Sequence, residues 1–326
     1  MGNGVRFVVV GYGMGECHAE LIAKTEGLAL HGVCDLDPGK LARAAGKFPG
    51  IATYGDYRQA LDDPRVDAVA IVTPHRVHER MAVAAMDRGK HVITDKAMCL
   101  TVEEAHSMLA ARDRNKVLFS VFHNRRWDGD FLTVSAILAK GLIGRLYHVQ
   151  TTVTGSLLWG GWRTKREESG GWLYDWGAHM IDQVLIITGA KAVSVHAFLH
   201  HRFRDPCSVE DYINATVRFD TGITATLVVG NINRLLMPRW YVMGETGTLQ
   251  CEGFDTPVKV RAEADGLEGD TTFPLLKGDW RSFYQNIAEV FGKKADLAVR
   301  PEQMVPQIAI AQAAYRSIGT GEVVRL

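Results

Sequence analysis

Short apolar runs alternate with helical stretches from residue 5 to about residue 122, and this alternation constrains the fold more than any other feature of the chain. Such runs have the length and composition of strands that are buried on both faces. The predicted strands cover residues 5–10, 28–34, 68–73, 91–94 and 117–122. Because parallel strands need long crossover connections, the alternation predicts an α/β domain built on a parallel sheet.

The helices between these strands are predicted at residues 17–24, 38–47, 75–88 and 102–112. Two of them begin with recognisable caps. Asp37 precedes Pro38, which has the backbone angle of a first helical residue, and Thr101 with Glu104 forms a capping box. The starts of these two helices are therefore predicted from capping residues as well as from hydrophobic periodicity.

After about residue 123 the strands become longer and lie next to one another in sequence. Residues 211–219 and 223–229 flank Asp220-Thr221-Gly222 and predict a hairpin. Further strands are predicted at 240–243, 248–251 and 258–261, helices at 131–140, 172–188, 283–291 and 302–318, and a mobile loop at 261–277. We therefore expect two domains: residues 1–122 as the α/β domain, and 123–326 as an α+β domain with a large, mostly antiparallel open sheet.

Bulk composition excludes several classes of protein. Lys and Arg number 37, as do Asp and Glu, so neither a nucleic-acid backbone nor an anionic membrane is an expected partner, and a small molecule is. No apolar run reaches the roughly 18 residues of a membrane helix, and the N-terminus lacks the pattern of a signal peptide, which predicts a cytoplasmic protein. The five scattered cysteines and the triplet His196, His200 and His201 lack metal-ligand spacing, so no metal site is predicted.

A glycine-rich turn, Gly11-Tyr12-Gly13-Met14-Gly15, joins the first strand to the first helix. Glycines let backbone N–H groups approach a pyrophosphate at a helix N-terminus, so the turn predicts dinucleotide binding and a Rossmann domain. The turn is one residue shorter than the usual Gly-x-Gly-x-x-Gly, which leaves open a glycine-rich strand end without a cofactor.

Asp35 ends the second strand about 20 residues later, where a carboxylate can bind an adenosine ribose. Because Leu36 and Asp37 follow instead of Arg or Lys, a 2′-phosphate would meet no obvious counter-ion there. The sequence therefore favours NAD over NADP, with NADP possible. The alternative is that Asp35 only caps a turn.

Gly170 to Asp182 place Asp175, His179 and Asp182 at spacings of four and three, on one face of a helix. Two acids and an imidazole among large apolar side chains indicate either an acid–base site or a buried polar network. Other residues, most of them polar, stand at the ends of two strands of the first domain, at the edge where α/β sheets bind ligands. These residues are Thr73, Pro74, His75, His78, Asp95 and Lys96.

The order of these motifs resembles the glucose–fructose oxidoreductase, inositol dehydrogenase and rhizopine-catabolism (Gfo/Idh/MocA) family over nearly the whole chain. The resemblance implies a nicotinamide-dependent oxidoreductase that acts on sugars, inositols or related polyols and forms a homodimer or homotetramer through the C-terminal sheet. By position it implies Lys96, Asp175 and His179 as catalytic residues. With the resemblance, the predicted cofactor contacts are Gly11, Tyr12, Gly13, Met14, Gly15, Asp35, Thr73, Pro74, His75, His78, Asp95, Lys96, Arg126, Trp162 and Arg163. The predicted substrate contacts are Lys96, Asn124, Arg163, His179, Asp182 and Tyr284, and Asp182 is alternatively a structural hydrogen-bond acceptor.

The lysine motif departs from the family pattern at two positions: Asp95 replaces a glutamate, and Ala97 replaces a proline. A cis Lys96–Ala97 peptide would cost about 2.5–4 kcal/mol, so we expect the backbone there to differ from the family's. Asp95 is one methylene shorter than Glu, which leaves its contact with the nicotinamide open.

The mechanism expected from these residues is that Lys96 and His179 share the reacting hydroxyl across the two domains, with Asp175 orienting the imidazole. Two alternatives remain open. One is a redox-neutral glycosidase or epimerase-like enzyme that never releases NADH. The other is a sensing protein for NAD or sugar without turnover.

Overall fold

A computed structural model describes residues 4–155, 160–201 and 207–326. They form two compact units. The first takes the described residues up to Asn124 and the segment Trp280–Val305, and the second takes those from Arg125 to Asp279 and from Pro306 to Leu326. The predicted division into 1–122 and 123–326 differs from these units because Trp280–Val305 packs with the first.

Strands occupy β1 (Val5–Val10), β2 (Leu28–Cys34), β3 (Ala52–Tyr54), β4 (Ala68–Ile71), β5 (His91–Thr94), β6 (Phe119–Val121), β7 (Leu146–Thr154), β8 (Ala192–His200), β9 (Tyr212–Phe219), β10 (Thr224–Gly230), β11 (Trp240–Gly244), β12 (Gly247–Cys251), β13 (Val258–Ala264), β14 (Leu267–Phe273) and β15 (Val324–Arg325). Helices occupy α1 (Gly15–Ala23), α2 (Pro38–Lys47), α3 (Tyr57–Asp62), α4 (His78–Met86), α5 (Val102–Asn115), α6 (Gly129–Ala139), α7 (Arg166–Ser169), α8 (Trp172–Thr188), α9 (Arg281–Phe291) and α10 (Met304–Thr320).

The first unit contains a parallel sheet in the order β3-β2-β1-β4-β5-β6, which confirms the predicted Rossmann arrangement. Strand β4 at its centre is buried along its whole length, as expected for a sheet covered by helices on both faces. The sequence analysis missed β3 and α3. These elements have three and six residues, too few to show a periodicity.

Helix α9 explains why Trp280–Val305 belongs with the first unit. Phe283 and Tyr284 of α9 are buried, and their rings lie 5.0 and 5.7 Å from that of Phe122. The Tyr284 ring also meets Phe7 of β1 edge-on at 6.2 Å. These aromatic contacts complete the core of the first unit with residues that are distant in sequence.

The second unit contains a nine-stranded sheet in the order β14-β13-β12-β11-β7-β10-β9-β8-β15. Among the described strands of this sheet, only β7 and β10 pair in parallel, and the other neighbouring strands are antiparallel. The prediction of a mostly antiparallel sheet is therefore confirmed. Strands β9 and β10 form the predicted hairpin. Helix α8 packs on β7 and β10, at the middle of this sheet.

The prediction of a mobile loop at residues 261–277 is wrong, because most of this segment forms the β13–β14 hairpin. The side chains of β14 are mostly exposed and many are polar, so the composition of this strand is similar to that of a loop. Asp265 and Gly266, with positive φ of 54° and 78°, form a two-residue turn. Asp-Gly is a strong hairpin signal that the sequence already contained.

Among the helices of residues 4–155, 160–201 and 207–326, none is long and apolar enough to cross a membrane.

Candidate active site

The glycine turn forms a backbone cradle between β1 and α1. Gly11 has a φ of 92°, and a side chain there would clash with the carbonyl oxygen of Val72. A Cβ on Gly15 would lie 2.8 Å from Val9, whereas one on Gly13 would meet no described heavy atom within 4 Å. No side chain of the described residues caps α1. The turn is therefore open at Gly13, at the start of a helix that no described side chain caps, and it fits a dinucleotide pyrophosphate.

Asp35 holds this turn in place. Its carboxylate accepts hydrogen bonds from the backbone N–H groups of Tyr12 at 2.6 Å and Asp37 at 2.9 Å. Tyr12 has a fully buried side chain, so only its backbone faces the turn, whereas Met14 is half exposed. Asp35 thus caps a turn, and its carboxylate retains further lone pairs that can accept ribose hydroxyls.

Two cations of α2 lie beside the glycine turn and the acid that holds it. The Lys40 ammonium is 3.4 Å from the Asp35 carboxylate. Arg43 donates to the carbonyl oxygen of Tyr12 at 3.0 Å and lies over the Tyr12 ring. The sequence suggested no obvious counter-ion for a 2′-phosphate there, whereas the structure brings the Lys40 ammonium to Asp35 and the Arg43 guanidinium to the Tyr12 backbone. Lys40 is five residues beyond Asp35 in sequence, and the first turn of α2 brings it back beside the carboxylate.

His78 connects the ends of two neighbouring strands. The imidazole is fully buried, with its nitrogens 2.9 Å from the carbonyl oxygen of Thr73 and 2.8 Å from that of Ala97. Burial lowers the pKa of His78. His75 is also buried, with its ring 5.6 Å from that of His78, while Thr73 and Pro74 are half-buried. Through its contact with the Ala97 carbonyl oxygen, His78 therefore fixes the backbone next to Lys96.

Lys96 follows β5, at the carboxyl edge of the parallel sheet, and its backbone N–H donates to the Asp95 carboxylate at 2.8 Å. The Lys96–Ala97 peptide bond is cis, although the sequence analysis expected the alanine to disfavour that isomer. Asp95 therefore makes at least one contact within its own motif.

His18 and Tyr284 form a buried pair in the same unit, with His18 Nδ1 and the Tyr284 hydroxyl 2.8 Å apart. Burial lowers the pKa of His18 to about 4 and raises that of Tyr284, and the negative charge of Asp95 acts on both groups. Tyr284 has no exposed surface. The structure thus places this predicted substrate contact in the core of the first unit.

Asp175 and His179 lie one turn apart on α8 and are both buried, at 6% and 5% exposure. The Arg163 Nε is 3.3 Å from the Asp175 carboxylate, and the Arg163 guanidinium lies over the ring of Trp162. The Trp176 ring lies 6.2 Å from that of His179. The N-terminal part of α8 thus carries an acid, Asp175, and an imidazole, His179, and the guanidinium of Arg163 lies beside the acid.

Asp182, one turn beyond His179, has a different environment. Arg126 donates to both of its carboxylate oxygens, at 2.8 and 2.6 Å, and the Arg126 and Asp182 side chains are only 10% and 4% exposed. This two-point contact is the strongest geometry available to an arginine and a carboxylate. Asp182 and Arg126 therefore neutralise each other. Asn124, another predicted substrate contact, is 7% exposed and belongs to the first unit.

Sequence reasoning missed Arg239, a buried cation under α8. Arg239 is 2% exposed and donates to Gln183 of α8 at 2.7 Å, with Asp130 of α6 3.4 Å away. Burial lowers its pKa to about 10. No local pattern marks this residue, because its partners come from separate elements. Within the described residues, no group of three or more His, Cys, Asp or Glu is arranged to hold a metal ion.

The parallel sheet, the open glycine turn and the strand-ending acid define a protein that binds a nicotinamide dinucleotide. A family described as "Oxidoreductase family, NAD-binding Rossmann fold" matches residues 5–123, and one described as "GFO/IDH/MocA C-terminal domain" matches residues 131–250. The chain belongs to the Gfo/Idh/MocA family, and it is an NAD(P)-dependent oxidoreductase.

Several known proteins resemble the chain over most of its length. It is 29% identical to scyllo-inositol 2-dehydrogenase (NADP(+)) IolW of Bacillus subtilis, over 83% of this chain and 82% of that one. It is 27% identical to D-glucoside 3-dehydrogenase of Escherichia coli, over 67% and 68%. The solved structure of an NAD-binding protein from Listeria innocua superposes with a TM-score of 0.91 at 31% identity, covering 99% of this chain and 97% of that one.

Proposed function

We propose that the protein is a dehydrogenase that transfers a hydride between a hydroxyl-bearing carbon of an inositol, sugar or related polyol and NAD(P). The observation that carries the proposal is the buried pair Asp175 and His179, one turn apart on α8 with Arg163 beside Asp175. The names of IolW and of D-glucoside 3-dehydrogenase support this class of substrate.

His179 takes the hydroxyl proton during oxidation, since a neutral imidazole is a suitable base near pH 7. Asp175 stabilises the imidazolium that forms, and Lys96 donates a hydrogen bond to the same substrate oxygen. The nicotinamide, when bound, supplies the hydride acceptor. In the direction of reduction, His179 returns the proton.

Substrate hydroxyls are bound by Asn124 and Arg163 in this proposal. We leave out Tyr284, because its hydroxyl is buried against His18. Asp182 and Arg126 are also left out of direct contact, because each satisfies the other. Their role is to hold the turn at residues 124–127 against α8.

For the cofactor, we propose that both NAD and NADP are accepted. Asp35 retains acceptor sites for a ribose with free hydroxyls, while Lys40 and Arg43 supply positive charge for a 2′-phosphate. The name of IolW, which gives NADP(+), supports the acceptance of NADP.

We also propose that the chain forms a homodimer or homotetramer through the face of the nine-stranded sheet that lies away from α8. Strand register aligns one row of polar side chains from five neighbouring strands on this face, and no member of this row is buried. The row includes Tyr241, Gln150, Thr226, Thr216 and His196.

The experiment is a panel of inositols, aldoses and keto-sugars, assayed at 340 nm with both cofactors and their reduced forms. With a substrate found, Lys96→Ala should lower kcat by about 10²–10⁴-fold while the Kd of the reduced cofactor stays nearly unchanged. Lys24→Ala, which removes an exposed lysine, is the matched control.

Full activity of the Lys96→Ala variant would contradict the assigned role. Substrate consumption without net release of reduced cofactor would favour the redox-neutral alternative. Cofactor and sugar binding without any turnover would favour a sensing protein.

A further inference from the structure

Helix α8 begins without a capping side chain of its own. Its N-cap residue is Gly171, with a φ of 106°, and the first-turn N–H groups of the helix need acceptors from elsewhere. Glu210, from the segment before β9, accepts from the backbone N–H of Trp172 at 2.8 Å. The hydroxyl of Tyr315 on α10 accepts from that of Leu173 at 3.3 Å. Two elements distant in sequence thus cap α8.

The Glu210 carboxylate is held from several sides. Its side chain is completely buried, and it also accepts from the Arg166 guanidinium and the Tyr315 hydroxyl, each at 2.6 Å. The Trp172 indole N–H donates to the backbone carbonyl oxygen of Glu210. Burial and the neighbouring carboxylate raise the pKa of Tyr315, which keeps its hydroxyl protonated as a donor to Glu210. The cap therefore has a single well-defined geometry.

Gly171 is the residue that allows this approach. A Cβ at this position would clash with the hydroxyl oxygen of Tyr315 and lie 3.1 Å from the Glu210 carboxylate. The positive φ is also a conformation that only glycine adopts easily. The second glycine of the Gly-Gly-x-x-x-Asp motif is thus explained by the cap.

Asp175 and His179 stand immediately beyond this cap. The backbone N–H of Asp175 donates to the carbonyl oxygen of Gly171 at 3.1 Å, so Asp175 is tied directly to the residue that Glu210 and Tyr315 surround. His179 follows one turn later. The axial position and rotation of both side chains are therefore set at the capped end of α8.

We propose that Glu210, together with Tyr315, is a positioning residue: it fixes the first turn of α8 and thereby the placement of Asp175 and His179. This proposal rests on the proposed function for its catalytic consequence, but the cap itself can be tested without turnover. Errors of about 1 Å in the placement of a catalytic group cost about 10²-fold in rate, so the cap is expected to affect kcat.

The first measurement is hydrogen exchange of the protein with and without reduced cofactor. Glu210→Ala and Tyr315→Phe should speed hydrogen exchange of the backbone amides of residues 172–175. The exchange rates of amides in the first unit should not change. Ser317→Ala is the matched control, since Ser317 is a fully buried hydroxyl on α10 that bonds to Ala197 and Glu322 and lies away from the start of α8. Unchanged exchange in both test variants overturns the cap, whether or not the enzyme turns over any substrate.

The second measurement is kinetic, on variants shown by circular dichroism and cofactor Kd to be folded. Glu210→Ala should lower kcat by about 10²-fold and shift the acid limb of the pH profile, while cofactor Kd is unchanged. Glu210→Gln, which keeps an acceptor for the Trp172 N–H, should recover to within about tenfold of wild type. Wild-type kcat and pH profile in Glu210→Ala and Tyr315→Phe, with only the melting temperature lowered, would show that the cap is merely structural. Loss of the proposed function itself would instead show as a wild-type enzyme without turnover.

Discussion

At the scale of single residues, the environment separates side chains that look equivalent in the sequence. Asp175 and Asp182 lie on the same helix, both buried, yet they have different partners: Arg126 donates to both oxygens of Asp182, and the Arg163 Nε lies 3.3 Å from the Asp175 carboxylate. A buried carboxylate without compensation is costly, so each needs a partner. Two acids of the same helix are thus held by arginines from different parts of the chain.

His18 shows how burial controls a titration in the first unit. Its imidazole is fully buried next to the Tyr284 hydroxyl, and its pKa falls from 6.5 to about 4. The unfolded chain therefore binds a proton below pH 6.5, while the folded protein does not until about pH 4. The contribution of His18 to stability is full above pH 6.5 and is lost as the pH falls towards 4.

We predict that His18→Gln makes the protein less sensitive to acid. Between pH 7 and pH 5, wild type should lose about 2 kcal/mol of unfolding free energy through His18 alone, and the variant should lack this part. Urea unfolding at both pH values measures the difference. His78 is buried in both proteins and adds the same background to each. Equal acid sensitivity of the two proteins would contradict the assignment.

At the scale of elements, the ends of helices differ in how far they can be read from sequence. Helix α5 carries its own capping box, with the Glu104 N–H donating to the Thr101 hydroxyl at 3.1 Å and the Thr101 N–H to the Glu104 carboxylate at 3.2 Å. Helix α2 is capped by Asp37, as predicted. Both caps use residues within three positions, so the sequence predicts them.

Thr101→Ala should lower the free energy of unfolding by about 1 kcal/mol, because the first turn of α5 loses an acceptor. Urea unfolding at pH 7 measures this change, with His106→Ala as a control at an exposed position in the middle of the same helix. A loss equal to that of the control would show that the box contributes nothing.

At the scale of the whole molecule, the proposed oligomer depends on the face of the nine-stranded sheet away from α8. Antiparallel sheets often have one face packed and one exposed, and the exposed one here is polar. In a two-fold interface the same patch of each subunit meets its copy, so a charge near the centre of the patch meets a like charge.

We predict that Thr226→Lys reduces the molecular mass measured by light scattering after gel filtration, from that of a dimer or tetramer to that of a monomer. His106→Lys, which adds the same charge on α5, should leave the wild-type mass unchanged. A monomeric wild type at micromolar concentration would remove the proposal.

The sequence by itself determined the features that depend on neighbouring residues: the parallel β–α alternation, the glycine turn, the caps of α2 and α5, and the spacing of Asp175 and His179 on one helix. Each follows from periodicity or backbone preference over a few positions. Asp265-Gly266 was of the same kind, and the hairpin it closes could have been predicted from it.

Only the tertiary structure decided which groups meet over long separations. Arg126 and Asp182 are 56 residues apart, and Glu210 and Tyr315 are 105 apart. Helix α9 joins the core of the first unit although most of the second unit precedes it in sequence. The physical reason is that a buried charge or an uncapped helix end requires a partner, but its own sequence does not specify which distant residue the fold will supply.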